Sequence, residues 1–121
     1  MTCFMKKMYY LSTCDTCKRI IKELNLPSDV ILQDIKKTPI TVKQLEQMHE
    51  LSGSYEALFS KRAKLYKEMD LKNASLTERD YKNYILEDYT FLKRPVLLYA
   101  GQIFIGNSKK TVAQAKEFIH V

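Results

Sequence analysis

Residues 7–24 read KMYYLSTCDTCKRIIKEL, and three patterns follow one another within them. Lys7 to Leu11 is a short run with two tyrosines, the composition of a β-strand. Ser12, Thr13, Cys14 and Asp15 then offer a cluster of side chains suited to capping a helix N-terminus. From Thr16 onward Ile20, Ile21 and Leu24 recur at helical spacing, until Asn25, Leu26 and Pro27 end the pattern. The stretch therefore predicts a strand, a turn and a helix over about Asp15 to Leu24, with Cys14 and Cys17 in or beside the helix's first turn.

Working outward, Val30, Ile31 and Leu32 predict a buried strand, and the intervening helix makes a parallel, right-handed crossover the natural connection. Thr41 to Leu51, with Val42, Leu45 and Met48 three apart, predicts a helix ended by Ser52 and Gly53. Tyr55 to Met69, carrying Leu58, Phe59, Leu65, Tyr66 and Met69, predicts another, and Thr77 to Asp88, capped by Thr77, a third. Arg94 to Tyr99 and Gln102 to Ile105 predict a hairpin around Ala100 and Gly101, before a last helix from Lys109 to Ile119. The expected architecture is α/β: a mixed four-stranded sheet with flanking helices and an inserted helical subdomain over about residues 40–90, all within one domain spanning residues 1–121.

Composition sets outer limits. Hydrophobic residues make up 45% and charged residues 28%, ordinary globular usage that argues against disorder or a coiled coil. No apolar run approaches the roughly 18–20 residues a membrane helix needs, and the first residues carry too short an apolar run for a secretory signal. Three cysteines with a single paired spacing suit a reducing cytoplasm. The net charge of +6 favours anionic partners, but the nine basic residues from Lys61 to Arg94 are interleaved with Glu68, Asp70, Glu78 and Asp80. That mixture describes a solvated helical surface and no direct nucleic-acid stripe.

The chemistry sits in Cys14 and Cys17. A helix N-terminus and its free N–H groups favour a thiolate, which makes Cys14 the expected nucleophile. Cys17, three residues on, lies on the same side, where it can resolve a mixed disulfide or close an internal one. A CxxC pair beside a βαβ unit is the pattern of a thioredoxin-like redox motif. Lys18 and Arg19 follow at once and would either add positive potential near Cys14 or, as side chains of a helix surface, only be solvated. A closed zinc site would need Cys3, His49 and His120 as further ligands, none at a second paired spacing, so no metal is expected. Cys3 itself reads as an incidental thiol near the chain start.

Several dispersed motifs together resemble the ArsC/Spx family. They are STCDTCKR from Ser12, DIKKTP from Asp34, FSKRAKLYKEM from Phe59, LKRPVLL from Leu92 and GQIFIG from Gly101. The resemblance implies a thioredoxin/glutaredoxin-like fold with an inserted helical subdomain, in which Pro95 is the cis-proline facing the redox cysteine. It implies that Cys14 attacks arsenate or a small disulfide, with Arg62 and Arg94 stabilising thiolate and oxyanion through planar, bidentate donors. Thr13 and Thr16 flank the pair as substrate-binding or structural residues, together with Pro95. No bound cofactor is implied; glutathione with glutaredoxin, or thioredoxin, is the expected electron donor. Two positions depart from the arsenate reductase pattern: Tyr10 stands where a histidine is usual, and Ile105, Gly106 and Asn107 stand where a third arginine is usual. The second cysteine resembles the Spx branch, which implies an alternative role: a redox-sensing regulator that binds the C-terminal domain of the RNA polymerase alpha subunit.

Overall fold

The structure, a computed structural model, describes residues 6–120; Cys3 lies outside the described residues. The elements in chain order are β1 (Lys7–Tyr10), α1 (Asp15–Leu24), β2 (Ile31–Asp34), α2 (Val42–Ser52), α3 (Lys64–Glu68), α4 (Glu78–Glu87), β3 (Val96–Tyr99), β4 (Gln102–Ile105) and α5 (Lys109–Ile119). Three single 3₁₀ turns, Glu56–Leu58, Leu71–Asn73 and Tyr89–Phe91, punctuate the middle of the chain. The chain falls into two units: residues 6–38 with 94–120, and Pro39–Lys93.

The first unit holds the sheet, in the order β2-β1-β3-β4. β1 pairs parallel with β2, Met8 opposite Leu32, and antiparallel with β3, Met8 opposite Leu97; β3 and β4 form the antiparallel hairpin. This is the expected mixed four-stranded sheet. Met8, Leu97 and Tyr99 pack with Ile20 and Leu24 of α1 and with Val112 and Ala115 of α5. Burying each large apolar side chain of such a cluster contributes about 1.5–3 kcal/mol, so the contact that seats α1 on the sheet is also the main stabiliser of the unit.

The expectation of a buried second strand is corrected. β2 is an edge strand, with Ile31 60% and Leu32 47% exposed, and the buried apolar residues are Val30 just before it and Ile35 just after it. A short apolar run reads like a strand covered on both faces, but the strand order gives the central places to β1 and β3. The continuous helix expected over Tyr55 to Met69 is also corrected. Phe59 adopts an extended backbone, φ −87° and ψ 129°, and forms an isolated antiparallel bridge with Leu92. The Ser60 N–H donates to the Phe91 carbonyl at 2.7 Å and the Lys93 N–H to the Leu58 carbonyl at 2.8 Å. These bonds claim backbone groups that a helix would need, so α3 is confined to Lys64–Glu68. The apolar residues that mimicked a helix instead join a ring cluster in which Phe59 stacks on Phe91 at 5.3 Å and meets Tyr81 at 4.8 Å.

Local chemistry explains the remaining boundaries. Thr41 with Gln44, and Thr77 with Asp80, form reciprocal capping boxes at the starts of α2 and α4. Gly53 ends α2 at φ +79°, a left-handed cap that glycine takes without a side-chain penalty. The hairpin turn has positive φ at both central residues, 48° at Ala100 and 86° at Gly101. Alanine is strained there by about 1–2 kcal/mol, whereas asparagine suits this turn type. Ala100→Asn is therefore expected to raise the urea midpoint, with a gain of about 0.5–1 kcal/mol; an unchanged or lowered midpoint would count against the turn described.

Candidate redox site

The strand-to-helix corner of the first unit places Cys14 at the N-cap of α1, with φ −97° and ψ 110°. None of the hydroxyl or carboxylate side chains around it takes that position. The Cys14 sulfur itself accepts the Cys17 backbone N–H at 3.4 Å, the role a serine or aspartate oxygen commonly plays. Backbone bonds hold the corner on both sides: the Cys14 N–H donates to the Leu11 carbonyl at 3.0 Å, and the Lys18 N–H to the Cys14 carbonyl at 3.2 Å. Both cysteines are free thiols, Cys14 half-buried and Cys17 fully buried.

Their surroundings make the two thiols unequal. Partial burial pushes the Cys14 thiol up, but the Cys17 N–H, the Cys17 thiol, the Arg94 guanidinium and the Thr16 N–H outweigh it and hold Cys14 below the ordinary cysteine value. Burial pushes Cys17 up to about 11, reinforced by the neighbouring Cys14 and opposed by the Leu11 backbone and Arg94. Cys14 is thus a partly accessible thiol held toward its thiolate, and Cys17 a buried thiol held toward its protonated form.

Arg94 is the cation of this site. It is half-buried at the entry to β3, and it favours the thiolate at both sulfurs. Lys18 and Arg19 lie on the solvated surface of α1: Lys18 reaches Asp15 at 3.8 Å and Arg19 is exposed on the outside of the helix, whereas the charge that lowers Cys14 is that of Arg94. The Arg94–Pro95 peptide bond is cis, as the resemblance implied. The Pro95 carbonyl accepts the Gly106 N–H at 2.9 Å, which ties the start of β3 to the end of β4. Thr16 lies in the first turn of α1, and Thr13 is exposed in the turn before it. Arg62 belongs to the second unit, exposed in the turn before α3.

Two supporting groups escaped sequence reasoning. The Leu11 backbone touches both cysteines. The Ser12 hydroxyl donates to Asp34 Oδ2 at 2.5 Å, linking the corner to the end of β2 and holding the Asp34 carboxyl below its usual range. The signal for the second was present, since Asp34 opens the motif DIKKTP, but pairing it with Ser12 requires the parallel register. Among the described residues no cluster of three or more histidine, cysteine or acidic side chains is placed to hold a metal. His49 stacks on Tyr55 at 4.1 Å, and the His120 ring meets the Leu24 carbonyl at 2.7 Å.

At neutral pH iodoacetamide should label Cys14 and spare Cys17, as read by mass spectrometry of the digest. Arg94→Met should shift the pH midpoint of Cys14 alkylation upward, and an unmoved midpoint would remove Arg94 as its electrostatic partner. Cys17 has a folded value above its unfolded one, so it adds stability below the ordinary cysteine value that is lost as pH rises through about 11. Relative to Cys17→Ala, the reduced protein is expected to lose stability between about pH 8.5 and that value, measured by urea denaturation at stepped pH.

The fold recurs in known proteins. Solved structures similar to the chain include an arsenate reductase from Vibrio cholerae, 17% identical with a TM-score of 0.74, covering 96% of this chain and 98% of that one. A possible arsenate reductase from Streptococcus mutans is 25% identical with a TM-score of 0.66, covering 88% and 93%. An arsenate reductase (ArsC) related protein from Brucella melitensis is 18% identical with a TM-score of 0.67, covering 100% and 99%. A sequence comparison with curated proteins gives no match. The ArsC family model matches residues 9–115, which takes in the end of β1, the CxxC corner, the helical unit, the hairpin and much of the last helix; the chain belongs to the ArsC family.

Proposed function

We propose that this protein is a thiol-dependent reductase of the ArsC type, with Cys14 as nucleophile, Cys17 as resolving thiol and Arg94 as the charge that stabilises the reacting sulfur. The observation that carries the reading is the inequality of the pair: one thiol accessible and held low, the other buried and held near 11. In the disulfide reaction the Cys14 thiolate attacks a substrate disulfide, forms a mixed disulfide and releases the distal sulfur as a thiolate. Cys17 then gives up its proton and attacks the Cys14 sulfur, releasing the second substrate thiolate and leaving a Cys14–Cys17 disulfide. The pair has supplied two electrons, which glutathione with glutaredoxin, or thioredoxin, returns.

With arsenate the same thiolate attacks arsenic and forms a sulfur–arsenic bond as one arsenate oxygen leaves, protonated, as water. A second thiol then attacks the Cys14 sulfur, forms a disulfide and leaves the electron pair of the broken bond on arsenic, which departs as arsenite. Arg94 suits the oxyanion as a planar donor, the role the family resemblance also implies for Arg62. Asn107 follows Gly106 where a third arginine would bring positive charge, which favours a substrate needing less of it: a small disulfide or mixed disulfide ahead of arsenate. The paired cysteines also support a second reading, a redox-switched regulator of the Spx kind. Retention of the RNA polymerase alpha C-terminal domain by only one redox state would favour it, and no retention in either state would count against it.

Ultraviolet titration of the Cys14 thiolate, run beside glutathione/glutaredoxin-coupled turnover of arsenate and of a glutathione mixed disulfide, tests the proposal. Cys14→Ser should abolish turnover with both substrates. Cys17→Ser should trap the substrate half on Cys14 as a mass increase equal to that group. Turnover retained in Cys14→Ser would sink the assignment of the nucleophile.

A further inference from the structure

A groove runs along the outside of the first unit between α1 and α5. Ile20, Val112 and Ala113 line its apolar part. Arg19 and Lys22 line it from α1, and Lys109 and Lys116 from α5; Glu23 is the one carboxylate among its lining residues. Among the described residues, no carboxylate lies within ion-pair distance of any of these four cations. Charges gathered along a groove and left unpaired attract an anionic partner.

The groove shares α1 with the redox corner, whose Cys14 caps that helix. Asn107 lines one end, next to Gly106, whose N–H is bonded to Pro95. On α1, Arg19 and Lys22 stand five and eight residues beyond Cys14, about 7 and 12 Å along the helix axis. An extended polypeptide advances about 3.3 Å per residue, so two to four residues cover those distances. We propose that this groove seats an acidic, extended segment of a partner polypeptide whose disulfide reacts at Cys14. The segment carries carboxylates two to four residues from the reacting cysteine, with small apolar side chains between them against the exposed Ala113.

This inference rests on the reductase reading and narrows its substrate to protein or peptide disulfides with an acidic flank. The covalent step is the exchange already described: a bond forms between Cys14 and the partner's sulfur, and the partner's second sulfur leaves as a thiolate. A nucleic-acid strand fits the groove less well. Glu23 interrupts the positive lining and would repel a continuous phosphate backbone, and no aromatic ring lines the groove for base stacking.

Binding is measured without turnover, which keeps the two readings apart. A rhodamine-labelled peptide of alternating glutamate and alanine is titrated with the reduced protein at low salt and followed by fluorescence anisotropy. Lys22→Glu with Lys116→Glu should weaken binding about tenfold or more, equivalent to about 1.4 kcal/mol. Lys72→Glu with Arg79→Glu, the same charge change in the second unit, should leave it within about twofold, as should Cys14→Ser, and a glutamine-for-glutamate peptide should bind far more weakly. Equal loss in both charge pairs, or no loss in the groove pair, would overturn the proposal. So would oligothymidylate of matched charge binding more tightly than the peptide. If the peptide binds as expected and Cys14→Ser still turns over substrate, the nucleophile assignment fails while the groove stands.

Discussion

The hydrogen bond from the Cys17 N–H to the Cys14 sulfur joins fold and chemistry in this protein. It exists because α1 begins at Cys14, so the orphan N–H groups of a helix start converge on a thiol where a hydroxyl would ordinarily cap. The position of that start depends on the core beneath: Ile20 and Leu24 hold α1 on Met8 and Leu97, and Val112 and Ala115 of α5 close the same cluster. A change that slid α1 along the sheet would move the cap off the sulfur. The activated thiol is therefore maintained by apolar packing one and two turns away, and by a backbone whose partners are already satisfied.

The division of labour between the cysteines follows from depth. Cys14 sits where burial is partial and is outweighed by N–H groups and one guanidinium; Cys17, one helical turn further in, meets the full desolvation penalty. Two chemically identical side chains thus acquire opposite tendencies. On the proposed reading, that asymmetry gives the pair a direction: an external sulfur or oxyanion would reach Cys14, and only the adduct would reach Cys17. The second unit obeys a different logic, with a ring cluster around Phe59 and Phe91 and exposed ion pairs such as Lys61 with Glu56 at 2.9 Å, which contribute little individually.

The sequence by itself determined what short-range physics controls. The strand, the CxxC corner, α1, α4, the hairpin and α5 were all legible, because caps, turn residues and 3.6-residue spacing act within a few positions of one another. The family resemblance added Arg94 and the cis Pro95, which no periodicity marks. Only the tertiary structure decided which cation serves the thiolate. Lys18 and Arg19 are nearest in the chain but project from the helix surface, whereas Arg94 arrives from the far end of the sequence through the antiparallel pairing of β1 with β3. It also decided that Ile31 and Leu32 lie at an exposed edge, and that Phe59 leaves a helical pattern to bridge Leu92. In each case the deciding contact or strand order joins residues distant in sequence, which a local pattern does not record.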